Sequence, residues 1–233
     1  MSVIPWSIIL DPLRLEELSA LNILDTKPEQ SYDDLASIAR LICGTPVANV
    51  TLVSEDRQWF KSAIGNDVLE TPIEQSVCAH TIGEEEILII NDLTDDVRTV
   101  DNTLVTGSRS LRFYAGVPLR LEGSFGVGTL CVLDTKPHPE GLNPYQVEAL
   151  KALGRQATIL LQIRKFLATH EQAEHYEGVI SEPIEEISDA LLKAYKLNKV
   201  YKDSVLENLL FSSLTHIAIG IARSGKSVET ILN

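Results

Sequence analysis

Cations are scarce in this chain of 233 residues: 20 Lys and Arg stand against 33 Asp and Glu, a formal net charge of -13 with a pI near 4.8. No Lys/Arg cluster interrupts the acidic sequence, which excludes a nucleic-acid surface, because phosphate backbones are bound through grouped cations. Long apolar runs are missing as well. The opening IPWSIIL, residues 4–10, is far too short to span a bilayer, and it has neither a basic flank before it nor a small-residue cleavage site after it. No membrane partner is expected, and the expected location is cytoplasmic. Cysteine is sparse and odd in number: Cys43, Cys78 and Cys131, with no C-x-x-C. That excludes a disulfide framework or zinc site and suits reduced thiols, so no metal is expected. The patterns G-x-S-x-G and H-E-x-x-H are absent too, and with them the paired groups of an ordinary hydrolase.

One motif is present and misleads. GIARSGKS, Gly220 to Ser227, fits the phosphate-cradling pattern G-x-x-x-x-G-K-[ST], in which backbone amides enclose the phosphates, the lysine reaches the outer ones and the serine holds magnesium. Such a loop needs a buried strand before it and further strands after it. The preceding LLFSSLTHIAI spaces its apolar residues as well for a helix as for a strand, and no Walker-B strand follows within the sequence. The expectation is a Gly-containing turn between two helices.

The remaining pattern is α+β. Leu13, Leu15, Leu18, Leu21 and Leu24 recur at helical spacing, and Leu35, Ile38, Ala39 and Ile42 repeat it before Gly44-Thr45-Pro46 breaks the helix. VANVTLVS and QWFKSAIG then form a hairpin about Glu55-Asp56-Arg57. TPIEQSVCAHTI reads as a short helix in a loop, ILIIN as a short strand, and the polar stretch from Asp92 to Ser110 as a long irregular connection of the kind that carries binding sites. RFYAGVPLRL and FGVGTLCVLD make a second hairpin, and Asn143-Pro144 opens a long helix with Val147, Leu150, Leu153, Ile159, Leu160 and Ile163 as its apolar stripe. Runs of strands flanked by helices in this order imply an antiparallel sheet. Residues 1–165 are expected to form this domain and residues 166–233 an all-helical extension.

The stretches LSALNILDTKPEQSYDDLASIARLICGTPVANVTLVSEDRQWFKSAIG, SVCAHTI, DNTLVTGSRSLRFYAGVPLR and GVGTLCVLDTKPH resemble the GAF domain, in the form common in bacterial sensor histidine kinases and diguanylate cyclases. The resemblance runs from Leu13 to Arg164. It implies a GAF-like antiparallel sheet of about six strands, with helices packed on one face and a small-molecule pocket on the other beneath the long connection. It also implies a sensor without chemistry of its own, so no catalytic residues are expected. The candidate lining is Trp59, Phe60, Cys78, His80, Asp95, Arg98, Asn102, Phe113 and Tyr114. Trp59 and Phe60 point to opposite faces of one strand, so at most one of them faces a ligand, and Arg98 is expected to pair with Asp95 or Asp96.

Three sharper readings of Cys78 and His80 fall short. In bilin-binding relatives the attachment cysteine is followed directly by histidine, and here Ala79 intervenes. Methionine sulfoxide reduction needs a resolving cysteine, and no second one shares the Cys78 loop. A haem or metal at His80 lacks a second ligand. Neither ligand nor cofactor is therefore specified by the residues. No kinase or cyclase signature follows the domain, so the expected role is relay through terminal helices to a signalling partner, with a homodimer formed along those helices; a ligandless scaffold is the alternative. His175 and His216 are weighed as phospho-acceptors, but His216 sits in an apolar stripe without an acidic neighbour.

Overall fold

The computed structural model describes residues 4–122 and 125–171. The P-loop-like segment, His175, His216 and the expected helical extension beyond 171 lie outside the described residues. In chain order the elements are α1 Trp6–Ile9, α2 Pro12–Ala20, α3 Gln30–Cys43, β1 Val47–Val53, β2 Arg57–Ile64, β3 Glu70–Pro72, α4 Cys78–Thr81, β4 Leu88–Ile90, α5 Thr103–Thr106, β5 Phe113–Leu119, β6 Gly128–Asp134 and α6 Pro144–Glu171. A single 3-10 turn, Ile73–Gln75, links β3 to α4.

Local chemistry sets the helix ends. Asp11 caps α2 by accepting from the Arg14 amide at 2.9 Å, with Pro12 in the first turn where its missing N–H costs nothing. Gly44, at φ 67, closes α3 in the left-handed conformation that a side chain resists. Asn143 and Gln146 cap α6 reciprocally, each side-chain oxygen accepting the other's amide at 3.0 Å. The first predicted helix stops at Ala20 instead of reaching Leu24, because Asn22 and Asp25 take left-handed φ values that no α-helix continues through. Leu21 and Ile23 still reach the core, from turns.

The six strands form one antiparallel sheet in the order β3-β2-β1-β6-β5-β4. Central β1 and β6 are buried on both faces, which explains their near-continuous apolar sequences. One face carries Ala48, Val50, Leu130 and Val132 against Leu18, Ala36, Leu150 and Leu161 of α2, α3 and α6. The opposite face carries Tyr114, Cys131 and Leu133 beneath a cover of Ile73, Val77, Ile82, Leu93 and Val105, together with Ile9 of α1.

Two buried cations tie this frame together. Arg14 donates to the carbonyl oxygens of Ile8 at 3.2 Å, Val53 at 2.6 Å and Ile9, fastening α1 to the end of β1. Lys61 is the extra residue of a bulge in β2, since Val50 pairs with Ser62 and Thr51 with Phe60. Its ammonium donates to Thr26 Oγ1 at 2.8 Å and the Lys27 carbonyl at 2.7 Å, and it lies 2.6 Å from Glu29 Oε1. Among the described residues no helix is long and apolar enough to cross a membrane.

Candidate functional site

On the face opposite the three large helices lies a cavity of about 290 Å³. Its walls come from β1, β2, β3, α4, α5, β5 and β6, with Asn49, Gln58, Asn66, Thr71, Gln75, Arg109 and Thr135 as the polar side chains that the sequence reading did not single out. A signal for several was present. Asn49 and Thr51 on β1, Gln58 on β2, and Thr129 and Cys131 on β6 interrupt apolar strands at alternate positions, which marks one face of the sheet.

The structure divides the nine predicted lining residues. Phe60, Cys78 and Tyr114 line the cavity. Trp59 and Phe113 belong to the helix-covered core on the other face, where Phe113 stacks on His138 with ring centroids 4.0 Å apart. Strand alternation separates both from the cavity. Asn102 caps α5 by accepting from the Leu104 amide at 2.9 Å and donates to the Gln75 carbonyl at 3.1 Å, so it fastens the cover and does not line the cavity. Arg98 forks onto Asp96, Nε to Oδ1 at 2.9 Å and Nη2 to Oδ2 at 2.6 Å, with Glu84 beside it. Asp95 opens instead onto a separate groove of about 770 Å³ with Asp92, Asp96 and Glu140. Two of those carboxylates are already occupied, Asp92 by Thr94 and Asp96 by Arg98.

His80 is buried on α4 outside the cavity wall. Burial first, and then the Arg98 guanidinium, hold its imidazole below the ordinary value against the pull of Asp96. The folded protein thus keeps His80 neutral while an unfolded chain takes up a proton as pH falls through about 6.5, so stability falls with pH across that window. Urea midpoints of the native chain should drop more steeply between about pH 7.5 and 5.5 than those of His80→Gln. Parallel slopes for the two proteins would exclude His80 as the source. Among the described residues no group of three or more His, Cys, Asp and Glu side chains is placed to hold a metal ion.

The position of α4 is dictated by Ser76. Its hydroxyl accepts the Ala79 amide at 3.0 Å and donates to Gln58 on β2, pinning the short helix against the sheet. Cys78 is thereby set over β6, with its sulfur 3.7 Å from that of Cys131. No second cysteine shares the Cys78 loop in sequence, but the fold supplies one from β6: the two are 53 residues apart in sequence and in contact at the cavity wall. Thr129 Oγ1 lies 3.1 Å and Tyr114 Oη 3.4 Å from the Cys78 sulfur. Gly116 makes room for that tyrosine, since a Cβ there would fall 2.2 Å from Tyr114 Oη.

The chain is 34% identical over 117 residues to a cyclic di-GMP phosphodiesterase of Pseudomonas aeruginosa, a stretch that is 50% of this chain and 20% of that longer relative. Among solved structures it is similar to the blue-light-absorbing form of the PixJ GAF domain of Thermosynechococcus elongatus, with 12% identity, 72% of this chain and 99% of that one covered, and a TM-score of 0.49. It is also similar to free methionine-R-sulfoxide reductase of Neisseria meningitidis in complex with its substrate, with 17% identity, 69% and 92% coverage, and a TM-score of 0.45. Residues 27–161, more than half of the sequence, match the GAF domain family. With that match, and with the expected sheet and its opposed helix-covered and cavity faces in place, the chain belongs to the GAF domain family.

Proposed function

We propose that this chain is the sensory module of a signalling protein, binding a small polar molecule in the 290 Å³ cavity and relaying its presence through α6. GAF domains are typically sensory. The observation that carries ligand binding is Thr71: it lines the cavity, is only 8% exposed, and its buried hydroxyl has no hydrogen-bond partner among the described residues. A buried hydroxyl left unpaired costs about 1–3 kcal/mol, and a bound polar group removes that cost. The lining contains no carboxylate although the chain carries a net charge of -13, and its only charged side chain is Arg109. That chemistry favours a neutral or anionic ligand over a cation.

The relay follows from the layering. β5 and β6 line the cavity with one face and pack on α6 with the other, so a ligand is one sheet thickness from that helix. On α6, Ile159, Ile163 and Phe166 recur at i, i+4 and i+7 and are all more than two-fifths exposed. A second copy of the chain covers such a stripe by parallel helix packing. Native mass spectrometry of freshly purified protein tests both points. The expected species is a dimer with a reproducible extra mass that vanishes on denaturation, and Val47→Trp, which fills the cavity from β1, removes the extra mass. Retention of the same mass by Val47→Trp would place the molecule elsewhere, and a bare monomer would overturn ligand and dimer together.

A further inference from the structure

We infer that Cys78 and Cys131 form a dithiol that reduces small hydroperoxides, with Cys78 as the attacking sulfur and Cys131 as the resolving one. The geometry at Cys78 is built for a sulfur that accepts hydrogen bonds. Two chains of hydroxyl groups converge on it: Thr51 and Thr129 are 3.0 Å apart with Thr129 next to the sulfur, and Thr81 and Tyr114 are 2.7 Å apart with Tyr114 next to the sulfur. One orientation satisfies both chains, with each outer hydroxyl donating to the inner one and each inner one to Cys78. Hydrogen bonds in series polarise one another. The Cys131 thiol supplies a further donor from 3.7 Å.

Electrostatics follow the same asymmetry. Burial pushes the Cys78 thiol up, and its hydrogen bonds, chiefly from Cys131, Thr129 and Tyr114, outweigh burial and bring it below the ordinary thiol value. Cys131 is driven well above the ordinary thiol value, by its hydrogen bond to Cys78 first and by burial next. Tyr114 is held above the ordinary phenol value, by burial first, and remains a donor. Of the two thiols Cys78 is thus the one that ionises first, and the thiolate is the nucleophilic form.

The steps balance. The Cys78 thiolate attacks one oxygen of the peroxide, the O–O bond breaks, and the departing alkoxide or hydroxide takes a proton to leave as alcohol or water. Cys78 is then a sulfenic acid. Cys131 sulfur attacks Cys78 sulfur, its own proton leaves with the expelled hydroxide as water, and the two sulfurs close from 3.7 Å to a bond of about 2.0 Å. Two electrons pass from the thiols to the peroxide. Access limits the size of the oxidant: both cysteines are buried and line the 290 Å³ cavity, which admits hydrogen peroxide or a short alkyl hydroperoxide and is too small for glutathione disulfide. This step needs no bound ligand and so stands or falls separately from the sensory reading.

Treatment of the native chain with hydrogen peroxide should lower its intact mass by about 2 Da, the loss of two hydrogens, with the new bond mapped to Cys78 and Cys131 by non-reducing digestion. The rate should reach half its maximum at a lower pH than that of an ordinary exposed thiol, and the same exposure to glutathione disulfide should give no product. Cys131→Ser should stop at a sulfenic acid on Cys78, trapped by dimedone. Tyr114→Phe and Thr129→Val should each slow the reaction about tenfold, one hydrogen bond to the attacking thiolate being lost. Three results overturn the inference: a disulfide that forms only in denaturant, a dimedone adduct that forms on Cys131 in Cys78→Ser but not on Cys78 in Cys131→Ser, or rates unchanged in both hydroxyl variants.

Discussion

Arg14→Ala should lower the unfolding free energy by about 3 kcal/mol, a fall in Tm of about 9 °C by calorimetry. The side chain is 1% exposed, and its three hydrogen bonds end on backbone carbonyls of Ile8, Ile9 and Val53. Truncation leaves three buried acceptors to find water, each at roughly 1 kcal/mol. Burial holds the guanidinium down at about 10, partly offset by Asp11, so it stays charged at neutral pH and its hydrogen bonds are of the stronger, charge-assisted kind. Arg14→Lys should recover little, because a single ammonium cannot reach acceptors on two segments with the spread of a planar fork. The loss should be local before it is global: amide exchange should quicken first at Ile9 and Leu10, whose N–H groups bond within α1. A Tm within about 2 °C of native for Arg14→Ala would show that α1 is not held by this residue.

Lys61→Ala should cost about as much, roughly 3 kcal/mol, for a different reason. Here the lost group is an ammonium with a fully buried side chain that meets Thr26, Lys27 and Glu29 and lies 5.7 Å and 5.9 Å from the ring centroids of Tyr32 and Trp59. Glu29 is not orphaned by the change, since Arg164 also reaches its Oε1 at 2.7 Å. The cost therefore divides between the cavity left under the two rings and the lost donor to the Lys27 carbonyl and the Thr26 hydroxyl, which keeps only its own bond to the Ile23 carbonyl at 2.7 Å. Lys61→Met separates the two. It refills the volume without replacing the donor, so about half of the stability should return. A loss under about 1 kcal/mol for Lys61→Ala in urea titration would show that the bulge holds without its cation.

Helix and strand order could be read from the sequence because the patterns that encode them are local. The hairpin of β1 and β2, the terminal α6 and the two-faced sheet follow from periodicity, from Gly44 and from the Asn143 cap. Lys61 was hidden because a lysine in a strand reads as a solvent-side residue, whereas it shares the helix-covered face with Trp59, two positions earlier. Alternation allows only one of Trp59 and Phe60 to face a ligand but does not say which; the fold puts Trp59, and with it Phe113, on the helix side. The Cys78–Cys131 contact was out of reach for a third reason: it depends on the register of β6 and on Ser76 fixing α4, and neither is expressed within either cysteine's own neighbourhood.

The strand order has a consequence for how the chain reaches this state. β1 and β6 are neighbours at the middle of the sheet, yet their paired residues stand between 76 and 86 positions apart. Each half, β1-β2-β3 and β4-β5-β6, can form from nearby segments, but the seam between them closes only after a loop of that length has been ordered, an entropic toll collected before any seam contact is made. Both cavity walls and the bed on which α3 and α6 lie straddle this seam. Sheet, cavity and helix layer are thus completed in one late, cooperative event.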